Sequence, residues 1–260
     1  MKNSYSKYVE DYIKKRMKQL KTRSNLSVSV ITCTNLPYSL SNILENFIRQ
    51  DYEKKELIII INNNNIDEKE WIETTSKYDY IRVFKLDEKI SLGKCLNFGV
   101  DRAKYDIIAK FDDDDYYGPK YLSDSTQYFN STNAKVVGKG TTLIYFVASE
   151  ILSIREPGKE NKYVKFVNGS TLVFKKEVFD KVRFRDISLT EDVHFCNDCI
   201  KKGIKVYSSS RYHHVYFRHP SKENHTWKIK DEEFLSSYCS TDVLKKHLDN
   251  IDDIRRFADI

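Results

Sequence analysis

The chain contains no long apolar run. None of its 260 residues belongs to a stretch approaching the roughly 20 apolar positions that cross a bilayer, so no transmembrane helix is expected. Residues 1–21 are polar and lysine-rich without an apolar centre, which argues against a secretory signal peptide. Cysteine is sparse: Cys33, Cys95, Cys196, Cys199 and Cys239 make an odd count of five, with one Cys-x-x-Cys and no second pair. That pattern argues against a zinc ribbon. At helical spacing Cys196 and Cys199 read as reduced, small apolar residues on one face, and the compartment reads as cytoplasmic. A large excess of one charge is also missing. The 44 basic and 38 acidic residues leave +6, a diffuse basic balance that suits an anionic small ligand and argues against a nucleic-acid partner. Repeats, low-complexity tracts and Pro/Gly linkers are absent too, so nothing cuts the chain into separate domains.

What is present is enough to build a core. Hydrophobic residues make up 40% and aromatics 13%, which excludes global disorder. Apolar periodicity predicts strands over 26–32, 57–61, 81–84 and 106–111, alternating with helices over 40–48, 68–76 and 92–103. The five aliphatic residues Leu57 to Ile61 are the pattern of a strand covered on both faces. This alternation predicts an α/β fold with a mainly parallel sheet flanked by helices, whose carboxyl strand ends form a ligand crevice. Beyond residue 134 the pattern changes. Strands are predicted over 135–147, 162–167, 170–174 and 204–207, and helices over 175–181 and 191–202, the latter closed by Gly203. Residues 5–23 read as a basic amphipathic helix, either docked on the domain or, in the sharper reading, touching a membrane surface. Residues 235–257 read as a polar, helix-leaning tail.

The segment richest in chemistry is Asp112-Asp113-Asp114-Asp115, which follows the apolar strand and precedes Gly118-Pro119. Adjacent carboxylates repel one another and lose hydration where a strand end is packed. A hard divalent cation relieves both penalties, so the run reads as a metal site rather than a solvated acidic turn. Thr32 and the Asn62–Asn65 run stand at neighbouring strand ends, so three such ends converge on one crevice. Glu191-Asp192 opens a helix, where the dipole stabilises carboxylates, either as ordinary end charges or as a catalytic pair.

In order and spacing these motifs resemble the family 2 glycosyltransferases of the GT-A fold, over about residues 26–230. The segment 28–37 resembles the family's opening strand and nucleotide-contacting turn, and 92–99 its glycine-bearing helix start. Residues 112–119 resemble its Asp-x-Asp motif, 167–170 the strand under the donor sugar, and 190–195 its Glu-Asp helix. Arg218-His219 and His225-Thr226-Trp227 resemble a late basic segment near the diphosphate. The stretch 212–218 together with His-Thr-Trp also bears a weaker likeness to spore-surface glycosyltransferases of bacilli.

The resemblance implies an inverting transferase that moves a sugar from a nucleotide diphosphate sugar, a UDP-sugar being favoured, to a glycan, polyol or protein-linked hydroxyl. It implies Thr32, Thr34, Asn35, Asn62, Asn63, Gly93, Lys94, Asp112 and Asp113 around the nucleotide. Asp114 would hold Mn2+ or Mg2+, with His219 and His225 as further metal candidates. Asn168, Gly169 and Trp227 would lie at the sugars, and Asp192, with Glu191 beside it, would act as general base. The implied organisation is a helical extension over 1–24, a GT-A domain over 25–230 and a helical tail over 231–260. Within that domain 25–120 is the nucleotide half and 121–230 the acceptor half.

One departure stands out. Where the family usually carries an acid at the end of its second strand, this chain has Asn62 to Asn65, and Ile61 fits the position if the frame shifts by one residue. An asparagine carbonyl can still accept from uracil N3–H, while its amide can also donate. Three rival readings compete with this resemblance. A dehalogenase-type phosphatase would need Thr or Val at position 116, which is Tyr. A calcium-binding loop would need Gly and Glu where Tyr117 and Ser123 stand. A GT-A-shaped carbohydrate-binding or scaffolding protein without turnover is the third.

Overall fold

The computed structural model describes residues 26–220, 230–240, 246–248 and 250–260. The expected N-terminal helix, His225 and Trp227 lie outside the described residues. In the first half β1 (Val28–Thr34), α1 (Leu40–Ile48), β2 (Lys55–Ile61), α2 (Glu68–Thr75), β3 (Ile81–Lys85), α3 (Leu92–Arg102) and β4 (Ile107–Lys110) alternate as predicted. Then come β5 (Tyr116–Tyr117), α4 (Tyr121–Thr126), α5 (Tyr128–Ser131), β6 (Val136–Gly138), β7 (Thr142–Phe146), β8 (Ile151–Arg155), β9 (Lys162–Val164) and β10 (Val173–Lys175). The chain continues through α6 (Glu191–Lys201), β11 (Val206–Ser208), β12 (His214–Arg218), α7 (Asp231–Tyr238), β13 (Lys246–His247) and α8 (Ile251–Ala258).

Two sheets result. The larger has the order β3-β2-β1-β4-β10-β6-β11-β9. Its β3-β2-β1-β4 portion is wholly parallel, while β10 and β9 run antiparallel to their neighbours. The smaller sheet has the order β13-β8-β7-β12-β5. The predicted GT-A-type α/β architecture is therefore present, with the parallel strands first and a mixed region after them.

The aliphatic run explains why helices cover both faces of the large sheet. Leu57, Ile59 and Ile61 pack with Phe47 of α1 and Trp71 of α2, whereas Ile58 and Ile60 pack with Leu96 and Val100 of α3. Each such side chain contributes about 1.5–3 kcal/mol on burial. Gly99 lets α3 approach, because a Cβ there would stand 2.7 Å from Ile31 Cγ2. Cys196 and Cys199 are buried on α6 among apolar neighbours, as their spacing predicted.

Several boundaries differ from the sequence reading. The span 135–147 divides into β6 and β7 around Lys139–Thr141, and 170–174 opens as a 3-10 turn at Gly169–Thr171 before β10. The 175–181 helix is a 3-10 segment, Lys176–Asp180. Strands β5, β8, β12 and β13 lay outside the prediction, since strands of two to five residues hold only through their partners. Part of the tail packs on the small sheet: the Tyr116 hydroxyl donates to Asp259 Oδ2 at 2.6 Å, and His213 N donates to Ala258 O at 2.7 Å.

Glu56, at the start of β2, anchors the sheet's other edge. Its buried carboxylate accepts from Ser29 Oγ and Lys104 N, both at 2.6 Å, and from Arg82 Nη2 at 2.9 Å. Removing it takes the acceptor from Ser29 Oγ and Lys104 N and the counter-charge from Arg82, so Glu56→Ala is expected to cost about 3 kcal/mol. Urea unfolding should show a lowered midpoint with an unchanged slope.

Candidate active site at the strand ends

The four aspartates form the link between the two sheets. Strand β4 ends at Lys110 in the large sheet, and β5 begins at Tyr116 on the edge of the small one. Phe111 and Tyr117 bracket the acids and stack on one another, ring centroids 3.8 Å apart and planes within 3°. The Tyr117 hydroxyl accepts from Asp112 N at 2.7 Å and donates to Ser170 O at 2.7 Å, which ties the loop to the Gly169–Thr171 turn.

A polar ladder on α1 holds the loop's backbone. Asn42 Nδ2 donates to Asp113 O at 2.8 Å, Asn46 Nδ2 to Asp115 O at 2.8 Å, and Gln50 Nε2 to Gly118 O at 2.9 Å. Asn46 Oδ1 also accepts from Tyr117 N at 3.1 Å. The spacing i, i+4, i+8 puts all three residues on one side of the helix and its continuation. Sequence reasoning missed them. The only signal was polar residues recurring at that spacing between the apolar positions of the helix.

The four acids are not equivalent. Asp115 is fully buried and accepts from Phe217 N at 3.0 Å, which docks β12. His214 Nε2 lies 3.1 Å from Asp115 Oδ2 and 3.3 Å from Ser170 Oγ. Burial, reinforced by Lys139, pushes the His214 imidazole down to about 3, so it is neutral and donates to the carboxylate. Asp112 is ion-paired with Lys110. Burial drives the Asp113 carboxyl up to about 6, with Asp112 adding to the rise. Burial and then Asp115, Asp113 and Asp112 hold Asp114 well above the carboxylate range.

Asp113 Oδ2 is buried without a hydrogen-bond partner. Crowded, under-compensated carboxylate oxygens suit a hard divalent cation. Among the described residues no group of three or more His, Cys, Asp or Glu side chains forms a cage by itself. A cation here would therefore complete its coordination from a ligand's oxygens.

The other strand ends converge as predicted. Asn62 N donates to Thr34 O at 2.7 Å, and Asn63 Nδ2 to Asn35 O at 2.8 Å. The Thr34 hydroxyl bonds the Asp113 carboxylate, and the Thr32 hydroxyl is buried without a partner. The Asn62 Nδ2 donates to Asp87 O at 2.7 Å, which leaves Oδ1 as the acceptor of that side chain.

Glu191 and Asp192 open α6 behind Thr190, whose φ of 60° is left-handed and strained for a β-branched residue. Gly169 packs directly on Asp192: a Cβ at 169 would lie 2.5 Å from Asp192 Oδ2. Asp192 is half-buried, whereas Glu191 is buried and its carboxyl is pushed up to about 7 by that burial. Lys110, which sequence reasoning also missed, pairs with Asp112 and feels the charge of these two acids. A charge at the end of a buried apolar strand was its signal. Burial would pull the Lys110 ammonium down, but Asp112, Glu191 and Asp192 outweigh it and hold the group above its ordinary value.

Gly93 and Lys94, read from sequence as nucleotide contacts, meet the segment leading into α6. Gly93 N donates to Ile187 O at 3.0 Å, and Lys94 Nζ lies 2.7 Å from Asp186 in an exposed ion pair. Asn97 clasps the Phe184 backbone through both its Nδ2 and Oδ1. Asn168 commits its amide to Lys139 O at 2.8 Å, and His219 follows the end of β12.

A mainly parallel sheet flanked by helices, with an acid loop at its strand ends, is the architecture of a GT-A-type fold. The sequence profile of Glycosyl transferase family 2 matches residues 27–182, and the chain belongs to that family. It is 33% identical over 147 residues to the O-antigen biosynthesis glycosyltransferase WbnJ of Escherichia coli, covering 54% of this chain and 58% of that one. It is 26% identical over 179 residues to a poly-beta-1,6-N-acetyl-D-glucosamine synthase of Staphylococcus aureus, covering 63% and 43%. The fold matches that of S. aureus TarS in complex with UDP-GlcNAc, with a TM-score of 0.61 and 16% identity over 81% of this chain and 64% of that one. The chain thus spans less than two thirds of the length of each of these relatives. Among the described residues no helix is long and apolar enough to cross a membrane.

The crowding of the acids has a measurable signature. Folding raises the carboxyls of Asp113, Asp114 and Glu191 above their unfolded values, so the folded state holds protons more tightly than the unfolded one. Their contribution to stability is fullest at low pH and is lost as pH rises through about 6 for Asp113 and about 7 for Glu191. At pH 8 without divalent cations, Asp114→Asn should therefore raise the melting temperature, on the order of 2–4 °C. A lower melting temperature in that variant would contradict the assigned repulsion.

Proposed function

We propose that this chain transfers a sugar from a nucleotide diphosphate sugar to a hydroxyl acceptor, with inversion at the anomeric carbon. The observation that carries the reading is the meeting of two carboxylate sets around Lys110, one at the nucleotide strand ends and one at a helix start. Thr32, Thr34, Asn35, Asn62 and Asn63 frame the nucleoside, with Asp112 toward the ribose and Asp113 beside it. With its Nδ2 committed to Asp87 O, Asn62 offers Oδ1 as an acceptor, which favours a base with an N–H donor, hence uracil over cytosine, whose N3 is itself an acceptor. Lys94 is held only by an exposed pair, which is weak enough to exchange for a phosphate.

Asp114 would hold Mn2+ or Mg2+ together with the diphosphate, with His219 and His225 as further candidate ligands. Such a cation supplies positive charge to the departing diphosphate. On the acceptor side Asp192 acts as general base. It takes the hydroxyl proton while the oxygen bonds to the anomeric carbon and the bond to the diphosphate breaks. Its half-exposed carboxylate beside Gly169 supports this role over Glu191, which is buried against Lys110. Asn168, Gly169 and Trp227 would border the sugars.

The relatives' names point to cell-envelope polysaccharide as the acceptor class. The ligand of the TarS structure makes UDP-N-acetylglucosamine the first donor to test.

Calorimetry of UDP with and without MnCl2 should show metal-assisted binding that Asp114→Ala largely removes. Asp192→Asn should leave that binding intact and lower sugar transfer by about 10²- to 10⁴-fold. Near-normal transfer in this variant removes Asp192 as the base, and an inactive Glu191→Gln would pass the role to its neighbour.

A further inference from the structure

We propose that Lys110 is a positioning residue shared by both halves of the site, one internal cation that orders Asp112 toward the nucleotide and Glu191–Asp192 toward the acceptor. The inference rests on the nucleotide-sugar reading above and adds to it a residue which that reading leaves without a task. Lys110 is the last residue of β4 and only 6% exposed. It pairs in register with Ile31 of β1, and its backbone N–H donates to Leu172 O at 2.8 Å, just past the Gly169–Thr171 turn. The strand end is thus pinned between the nucleotide strand and the turn on which Asp192 packs. Its ammonium donates to Asp112 Oδ1, and the negative charges of Glu191 and Asp192 act on it as well.

A purely structural role explains this arrangement poorly. A buried ion pair seldom stabilises a fold more than apolar side chains of similar volume, so packing alone does not call for a lysine at this point. What the ammonium does is divide one positive charge between anions on two separate elements. The same charge also reaches Asp113 and Asp115. Neutralising a carboxylate on the acceptor side therefore leaves more of its attraction for Asp112, and the two sides of the site become energetically coupled. Proton capture at the base and retention of the nucleotide would then be linked through one side chain.

The test is a double-mutant cycle read by calorimetry of UDP in MnCl2. Glu191→Gln is expected to change UDP affinity in the otherwise native chain. That change should differ by about threefold or more when Lys110 is replaced by Met. Lys110→Arg, which keeps the cation, should restore the native response to Glu191→Gln. If Lys110→Met does not fold, Lys110→Gln takes its place in the cycle, keeping a donor for Asp112 without the charge. Substitutions whose effects simply multiply, or an Arg variant that behaves like the uncharged one, would overturn the role. Native protein that binds no UDP would instead overturn the nucleotide-sugar reading, and this inference with it.

Discussion

Everything around this site answers to the repulsion among four consecutive carboxylates packed where one sheet hands the chain to the other. A loop of that charge would swing into water if it were free. It is held by the Phe111–Tyr117 stack across its base and by the Asn42, Asn46 and Gln50 amides on its backbone. Because the clamp grips carbonyls and not carboxylates, it sets the path of the loop without neutralising its acids. Asp112 is met by Lys110, Asp115 by the Phe217 amide with His214, and Asp113 by the Thr34 hydroxyl. Burial and the neighbouring acids nevertheless hold the carboxyls of Asp113, Asp114 and Asp115 above the ordinary range.

The same constraint shapes the opposite wall. Glu191 and Asp192 add two further acids near the loop, and Thr190 adopts a strained left-handed conformation immediately before them. Strain and repulsion of this kind persist only where the surroundings over-determine them. Here the surroundings are the α3 contacts of Gly93, Lys94 and Asn97 with residues 184–187, which fix the approach to α6. Residues that resemble a nucleotide motif thus also fix the start of α6. One short stretch of sequence positions both sides of the crevice.

Much of the first half was legible from the chain alone. Apolar periodicity located β1 to β4 and α1 to α3 to within about two residues. It could do so because parallel strands buried on both faces read as continuous aliphatic runs. Acids and asparagines at the ends of those runs marked the crevice, since polar residues that follow buried strands have few other places to be. The second half was harder to read. β5 and β12 exist because Asp115 and its neighbours give them partners, and residues 135–147 break at Lys139, whose ammonium is buried against Asp124 and the Ser210 carbonyl.

The sequence by itself determined the α/β alternation, the strand-end acids and the carboxylate pair, because these depend on local pattern and the chemistry of single side chains. Only the tertiary structure decided which of the acids would be free to act. That depends on who stands beside each one in space: Phe217 and His214 by Asp115, Thr34 by Asp113, and Gly169 by Asp192. Lys110 is the clearest case. In the sequence it is a lone lysine at the end of a strand, and in the fold its charge acts on two clusters of acids 76 or more residues apart, because long-range electrostatic partners are set by packing and not by order along the chain.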